Sequence, residues 1–162
     1  MSGIYIHIPF CSKACHYCDF HFSTALKMKE ELIDSMVKEI HLRKNDFKKK
    51  FNSLYFGGGT PSLLTEKELE KILNALSNYV SIESMSEITI EINPEDVEIQ
   101  KLKTYKKLGI NRLSIGVQSL DDKFLKWMNR GHSKSQIDKS INLINEMNFD
   151  NYSLDFIYGL PT

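Results

Sequence analysis

The sequence predicts an α/β protein, a parallel sheet with helices packed outside it. Three observations lead there. Stretches with strand-like alternation are separated by stretches with helical spacing, in the order βα four times and then a fifth strand. That alternation marks crossover connections between parallel strands. Helix start and stop signals fall between the strands. Finally, polar residues and glycines gather where each strand ends, which is the reactive edge of parallel β/α architectures. The pattern fits either a doubly wound open sheet or part of a β/α barrel.

Residues 3–8, Gly-Ile-Tyr-Ile-His-Ile, alternate isoleucine with Tyr5 and His7 and read as a strand that Pro9 ends. From about Leu26 to Asn45 the spacing turns helical, with Leu32, Ile33, Met36, Val37 and Ile40 three and four apart. Ser53 to Phe56 is the second strand, and Gly57-Gly-Gly-Thr-Pro61 follows it. Thr65 and Glu68 make a capping box, and Leu69, Ile72, Leu73 and Leu76 form the expected buried stripe behind it. Glu87 to Ile92 is the third strand, with its isoleucines on one face and Thr89 and Glu91 on the other. Asn93-Pro-Glu-Asp96 reads as the cap and first turn of a helix that Gly109 stops. Arg112 to Val117 is the fourth strand, and a short apolar-faced segment, 121–129, comes next. Ser133 and Gln136 make a second capping box before Ile137, Ile141, Ile144 and Met147. The fifth strand runs from Tyr152 to Tyr158 with no covering helix after it. Residues 1–162 are therefore expected to be the N-terminal part of a longer polypeptide, or a trimmed piece of one.

Composition narrows the class. The 162 residues are 41% hydrophobic and 26% charged, ordinary for one domain with a core. Lys+Arg and Asp+Glu both count 21, which gives no reason to expect nucleic acid or an anionic membrane as partner. The run Lys48-Lys-Lys50 reads as a solvated helix end. No apolar run approaches membrane-spanning length, and the N-terminus lacks the features of a secretory signal. The expected location is the cytoplasm, where clustered cysteines bind metal or do redox chemistry more often than they form disulfides.

All three cysteines, Cys11, Cys15 and Cys18, lie in one loop after the first strand with spacing C-x3-C-x2-C. Thiolates are soft ligands suited to iron–sulfur clusters or zinc. Clusters are held by cysteine thiolates, usually four. Three would leave one iron without a protein ligand and open to a substrate. The alternatives are a Cys3His zinc site completed by His16 or His21, and free structural cysteines. The other strand ends add Gly57 to Thr60, Glu91 and Asn93, Gln118 and Ser119, and Asp155, all expected around one pocket. Read singly, each has a blander meaning. The glycines could make a tight turn, Arg130 could be solvated, and His7 could be a satisfied buried histidine. Phe56, Phe124, Trp127 and Phe149 are expected in the core.

Taken together, the residues resemble a known family. Tyr5-Ile-His-Ile-Pro-Phe-Cys11, Phe56-Gly-Gly-Gly-Thr-Pro-Ser62, Glu91-Ile-Asn-Pro-Glu95, Arg112-Leu-Ser-Ile-Gly-Val-Gln-Ser119 and Leu154-Asp-Phe-Ile-Tyr-Gly-Leu-Pro161 resemble the oxygen-independent coproporphyrinogen III oxidase family of radical S-adenosylmethionine (SAM) proteins. The resemblance implies a partial (β/α) barrel of the radical SAM type, with its C-terminal half missing here. It implies that Cys11, Cys15 and Cys18 hold three irons of a [4Fe–4S] cluster and that the fourth iron chelates SAM. In the family, one electron from the cluster then cleaves the sulfonium C–S bond. By the same resemblance Gly58, Gly59 and Thr60 match the turn that cradles the methionyl part, and Glu91 matches a ribose-binding carboxylate. Tyr5 and Tyr17 match positions lining the SAM site. Gln118, Arg130 and Asp155 match positions that hold a second SAM in the oxidase.

One departure shifts the functional expectation. The oxidase pattern resembles C-x3-C-x2-C-x-C, and here the fourth position is Phe20. The Gln118-Ser119 pair and Arg130-Gly-His132 look like a second branch of the family, oxidase-like proteins that act as haem chaperones. The implied role is haem trafficking, with haem bound by the full-length protein, a reductase for the cluster and an unidentified haem acceptor protein. The alternative is the oxidase itself, acting on coproporphyrinogen III. The assignment of Gln118, Arg130 and Asp155 then turns from a second SAM toward the one SAM or a bound tetrapyrrole.

Overall fold

The computed structural model describes residues 2–161. Five strands form one parallel sheet: β1 (Gly3–Ile8), β2 (Ser53–Gly58), β3 (Glu87–Ile92), β4 (Arg112–Gln118) and β5 (Tyr152–Phe156). Their order in the sheet is their order in the chain. A doubly wound sheet reverses its strand order at a switch point, and this one does not. Five parallel strands stepping in one direction are the beginning of a β/α barrel, which decides between the two architectures the sequence allows.

Sequential right-handed crossovers place every connecting helix on the same face of the sheet. The helices are α1 (Lys29–Leu42), α2 (Glu66–Ser77), α3 (Ile99–Lys107), α4 (Asp122–Trp127) and α5 (Lys134–Glu146). Ile8, Leu54, Phe56, Ile88, Ile90, Ile92, Leu113, Ile115 and Val117 lie buried between sheet and helices. The expected α2 stripe, Leu69, Ile72, Leu73 and Leu76, is buried against them. Both capping boxes form as read from the sequence, Thr65 with Glu68 and Ser133 with Gln136. Gly109 ends α3 with φ +80, a conformation that favours glycine.

The start of α3 differs from the sequence expectation. Asn93-Pro94-Glu95-Asp96 makes only a short 3-10 turn, Pro94–Asp96, and Asn93 makes no side-chain cap bond. The α-helix begins at Ile99. The reason is tertiary: each polar side chain of the turn is drawn away by a distant partner. Asn93 Oδ1 accepts from Arg130, Glu95 pairs with His132, and Asp96 accepts from the Ser62 hydroxyl at 2.6 Å. Residues that look like a helix cap are spent on the rim of the sheet.

The other face of the sheet is polar. Period-two alternation aims Tyr5, His7, Tyr55, Glu91, Ser114 and Asp155 away from the helices. Register then aligns them: Tyr5 lies beside Tyr55, and Glu91 beside Ser114. Among the described residues no helix is long and apolar enough to cross a membrane.

Ile90 sits at the middle of the sheet and is wholly buried. Ile90→Ala is expected to lower unfolding stability by about 2–5 kcal/mol, lost transfer energy plus a cavity. Urea unfolding followed by circular dichroism measures it, and a loss below about 1 kcal/mol would show that the helix layer is not closely packed there.

Candidate functional site at the C-terminal rim of the sheet

The strand ends converge on a cavity of ≈ 720 Å³. Every residue that the family resemblance assigns to the cluster or to SAM lines it: Tyr5, Cys11, Cys15, Tyr17, Cys18, Gly58, Gly59, Thr60, Glu91, Gln118, Arg130 and Asp155; Gly57 and Ser119, also expected there, are not among its lining residues.

The cysteine loop leaves β1 and is pinched at its base. The Ser23 N–H donates to the Pro9 carbonyl at 2.8 Å, and the Cys11 N–H donates to the Ser23 carbonyl at 3.1 Å. Its far side docks on the end of α4. The His16 N–H donates to the Met128 carbonyl at 3.1 Å, His16 Nδ1 donates to the Trp127 carbonyl at 2.7 Å, and Asn129 Nδ2 donates to the Ala14 carbonyl at 2.8 Å. All three cysteines are free thiols, partly buried. Burial pushes the Cys11 thiol above its ordinary value; a Thr60 hydrogen bond opposes the rise, and Cys18 and Cys15 add to it. His16 spends Nδ1 on a carbonyl, which removes it as a zinc ligand through that atom. Among the described residues no three His, Cys, Asp or Glu side chains are grouped to hold a single metal ion. A cluster asks for wider spacing, because its cysteines ligate separate irons.

The glycine turn after β2 is more than a tight turn. A Cβ on Gly59 would lie 2.6 Å from the Phe10 carbonyl oxygen and 2.8 Å from Cys11 Sγ. Gly58 has φ +119, and a Cβ there would meet the His7 ring at 2.9 Å. The backbone therefore passes directly against the cysteine loop, which only glycine permits. This is the donor set and the cradle that a loop-held cluster with a small ligand beside it requires.

Glu91 faces the same turn. Its Oε2 accepts from the Gly58 N–H at 3.0 Å and its Oε1 from the Tyr55 hydroxyl at 2.9 Å. Burial raises its pKa; these two bonds pull it back, and Asp155 adds to the rise. A carboxylate has about four acceptor sites, so two remain to face the cavity. Tyr55 and Tyr17 are each pushed up to about 12, chiefly by burial, and stay protonated as donors. Asp155 accepts from the Ser114 hydroxyl at 2.9 Å. Gln118 ends β4 with φ +66, turned out of the strand at the mouth.

Arg130 is not a solvated loop arginine. One terminal nitrogen donates to Asn93 Oδ1 at 2.7 Å and to the Gly116 carbonyl at 2.8 Å. The other reaches the Tyr17 hydroxyl at 3.3 Å and Cys15 Sγ at 3.6 Å. Its Nε is buried without a partner among the described residues. Burying a cation costs several kcal/mol unless acceptors surround it, and here they come from the cysteine loop, β3 and β4 at once.

Two more sequence readings change. His7 lines the cavity and is exposed to it, rather than buried. Phe56 and Phe149 are core as expected and Phe124 packs against the core, but Trp127 is 47% exposed. Asn93 lines the cavity as expected, whereas Glu95, Asn129 and His132 escaped the sequence reading as site-forming groups. Nothing in their spacing distinguishes them from cap and loop residues; their partners are distant in the chain.

The radical SAM superfamily profile matches residues 5–162. The chain belongs to the radical SAM superfamily. Curated relatives include the heme chaperone HemW of Buchnera aphidicola, 38% identical over 98% of this chain, and that of Synechocystis, 41% identical over 99%. The chain spans 43% and 40% of the lengths of those two relatives. Among solved structures, the coproporphyrinogen III oxidase HemN of Escherichia coli, a radical SAM enzyme, superposes with TM-score 0.88 at 30% identity. That match covers 98% of this chain and 37% of the oxidase. Radical SAM membership implies a [4Fe–4S] cluster and SAM, and the three-thiol loop with its glycine cradle fits both.

The rim also carries a pH signature. Burial pushes the Glu95 carboxyl up, and the His132 hydrogen bond, a backbone N–H and the charges of His132 and Arg130 together more than offset it, so the native value lies below the ordinary 4.5. A depressed native value stabilises the fold above the unfolded value and loses that contribution as pH falls through the native one. Glu95→Gln is expected to flatten the stability loss below 4.5. Urea midpoints at about pH 6 and about pH 3 check it, and an acid limb as steep as the parent's would refute it.

Proposed function

We propose that the chain is the cluster- and SAM-binding part of a haem chaperone. The observation that carries this reading is Phe20, standing where the oxidase pattern has its fourth cysteine, in a chain 35–41% identical to the heme chaperones of Lactococcus lactis and Synechocystis along nearly its whole length. In this reading residues 1–162 form radical SAM core. Cys11, Cys15 and Cys18 bind three irons. Gly58, Gly59 and Thr60 hold the methionyl part of SAM, Glu91 accepts from the ribose hydroxyls, and Tyr5 and Tyr17 line its sides. Gln118, Arg130 and Asp155 supply polar contacts to SAM or to the tetrapyrrole. When bound, the cluster and SAM supply one-electron reductive cleavage of a sulfonium bond. The chain's own part is to orient the pair and keep water from it. Haem, a reductase and a haem-accepting protein are the proposed partners of the full-length protein, in the cytoplasm.

A second reading, oxidative decarboxylation of coproporphyrinogen III, draws on the close superposition with the oxidase and on Gln118, Arg130 and Asp155 lining one cavity. The full-length protein, purified without oxygen and reconstituted with iron and sulfide, decides between them. Transfer-competent haem binding without turnover of coproporphyrinogen III is expected; formation of protoporphyrinogen would establish the oxidase instead.

Cys15→Ser is expected to abolish the cluster absorption and its electron paramagnetic resonance signal, while circular dichroism retains the α/β spectrum. An undiminished cluster signal would refute the ligand assignment.

A further inference from the structure

The turn that follows α4 joins the two halves of the site, and one buried side chain holds it. His132 is completely buried in its side chain. Its Nδ1 lies 2.7 Å from Glu95 Oε2 and its Nε2 lies 3.1 Å from the Val117 carbonyl oxygen. A carboxylate and a carbonyl oxygen only accept, so the ring is held between two acceptors, one at each nitrogen. The ring thereby pins the chain after Arg130 to the turn between β3 and α3, and to the last turn of β4 just before Gln118. Gly131 closes the same contact: a Cβ there would lie 2.3 Å from Glu95 Oε1, so the carboxylate packs flat on the backbone between Arg130 and His132.

Immediately upstream, the same turn grips the cysteine loop. Trp127 and Met128 offer carbonyls to His16, Asn129 donates to the Ala14 carbonyl, and the Arg130 guanidinium reaches Cys15 and Tyr17. Residues 127–132 thus form a strap. One end holds the cysteine loop and the other is fixed in the protein interior by His132 and Glu95. The ring spans two strand ends and its side chain is sealed from water.

We infer that His132, with Glu95, is a positioning residue: it locks the strap so that Arg130 and the cysteine loop stand in the geometry that cluster and SAM binding need. The inference rests on the radical SAM assignment for its ligand. It makes a separate claim about the chain itself, that loosening a buried histidine releases a loop more than a hundred residues away in sequence. Outer partners of metal-site groups commonly affect affinity by about 10–100-fold when removed, and a buried ring clamped between a carboxylate and a backbone carbonyl belongs in that class.

The test uses His132→Gln and Glu95→Gln, and each is read in two ways. In the full-length protein with its cluster reconstituted, SAM is titrated while the electron paramagnetic resonance spectrum of the reduced cluster is followed. Both variants are expected to weaken SAM binding about tenfold or more and to broaden the SAM-induced shift. In the full-length protein without its cluster, hydrogen exchange of the His16 amide, which donates to the Met128 carbonyl, is expected to speed up in both variants by clearly more than exchange in the β3 core. Added imidazole is expected to restore part of the protection in His132→Ala. Parent-like SAM affinity and spectrum, together with parent-like exchange at His16, would overturn the inference. Exchange that rises equally in β3 would also overturn it, because the role would then be general stability. A parent protein that takes up no cluster would defeat the functional reading alone, and the exchange arm would still decide the strap. If His132→Gln does not fold, the isosteric Glu95→Gln carries both readouts.

Discussion

A buried guanidinium has to be surrounded by acceptors, and the rim of this sheet is arranged to meet that demand. Arg130 takes Asn93 and the Gly116 carbonyl on one side and Tyr17 and Cys15 on the other. Those groups come from the end of β3, the end of β4 and the cysteine loop. Unpairing any of them would leave an expensive buried charge, so the residue that seems freest in the sequence ties the site together. The polar groups of the 93–96 turn are consumed in the same arrangement, which is why the helix expected there begins later.

The sheet makes this meeting possible. Parallel strands in sequential order bring every C-terminal end to one edge and keep all helices on the opposite face. The helix-facing side chains are a continuous apolar layer, and the cavity-facing ones are hydroxyls, carboxylates and glycines. Burial makes the tyrosines reluctant to ionise and raises the Glu91 carboxyl, so the cavity presents neutral donors beside a small number of acceptors. Such a lining suits a polar cofactor with a diol and an amino acid portion, the class that radical SAM membership implies.

Close approach is the second requirement. The backbone at Gly59 runs so near Cys11 that a methyl group would collide with it, and the Gly59 N–H donates to the Ile8 carbonyl at 2.8 Å. The cysteine loop is thus confined by the glycine turn on one side and by the end of α4 on the other. The clamp from α4 uses His16, a residue between two cysteines that reads from the sequence as a possible metal ligand.

By itself the sequence determined what local chemistry encodes. Alternation and helical spacing located all five strands and the principal helices, two capping boxes set helix starts, and the cysteine spacing with the glycine run marked the site. These signals survive because they depend on residues near one another in the chain. The tertiary structure decided the rest. It chose sequential over doubly wound order, since strand order is a long-range property. It turned Asn93 and Glu95 from capping groups into partners of Arg130 and His132, because a buried charge outweighs about 1 kcal/mol of capping. It also turned His7 into the cavity and left Trp127 half exposed. No local pattern records which partner wins when two acceptors compete for one side chain across the fold.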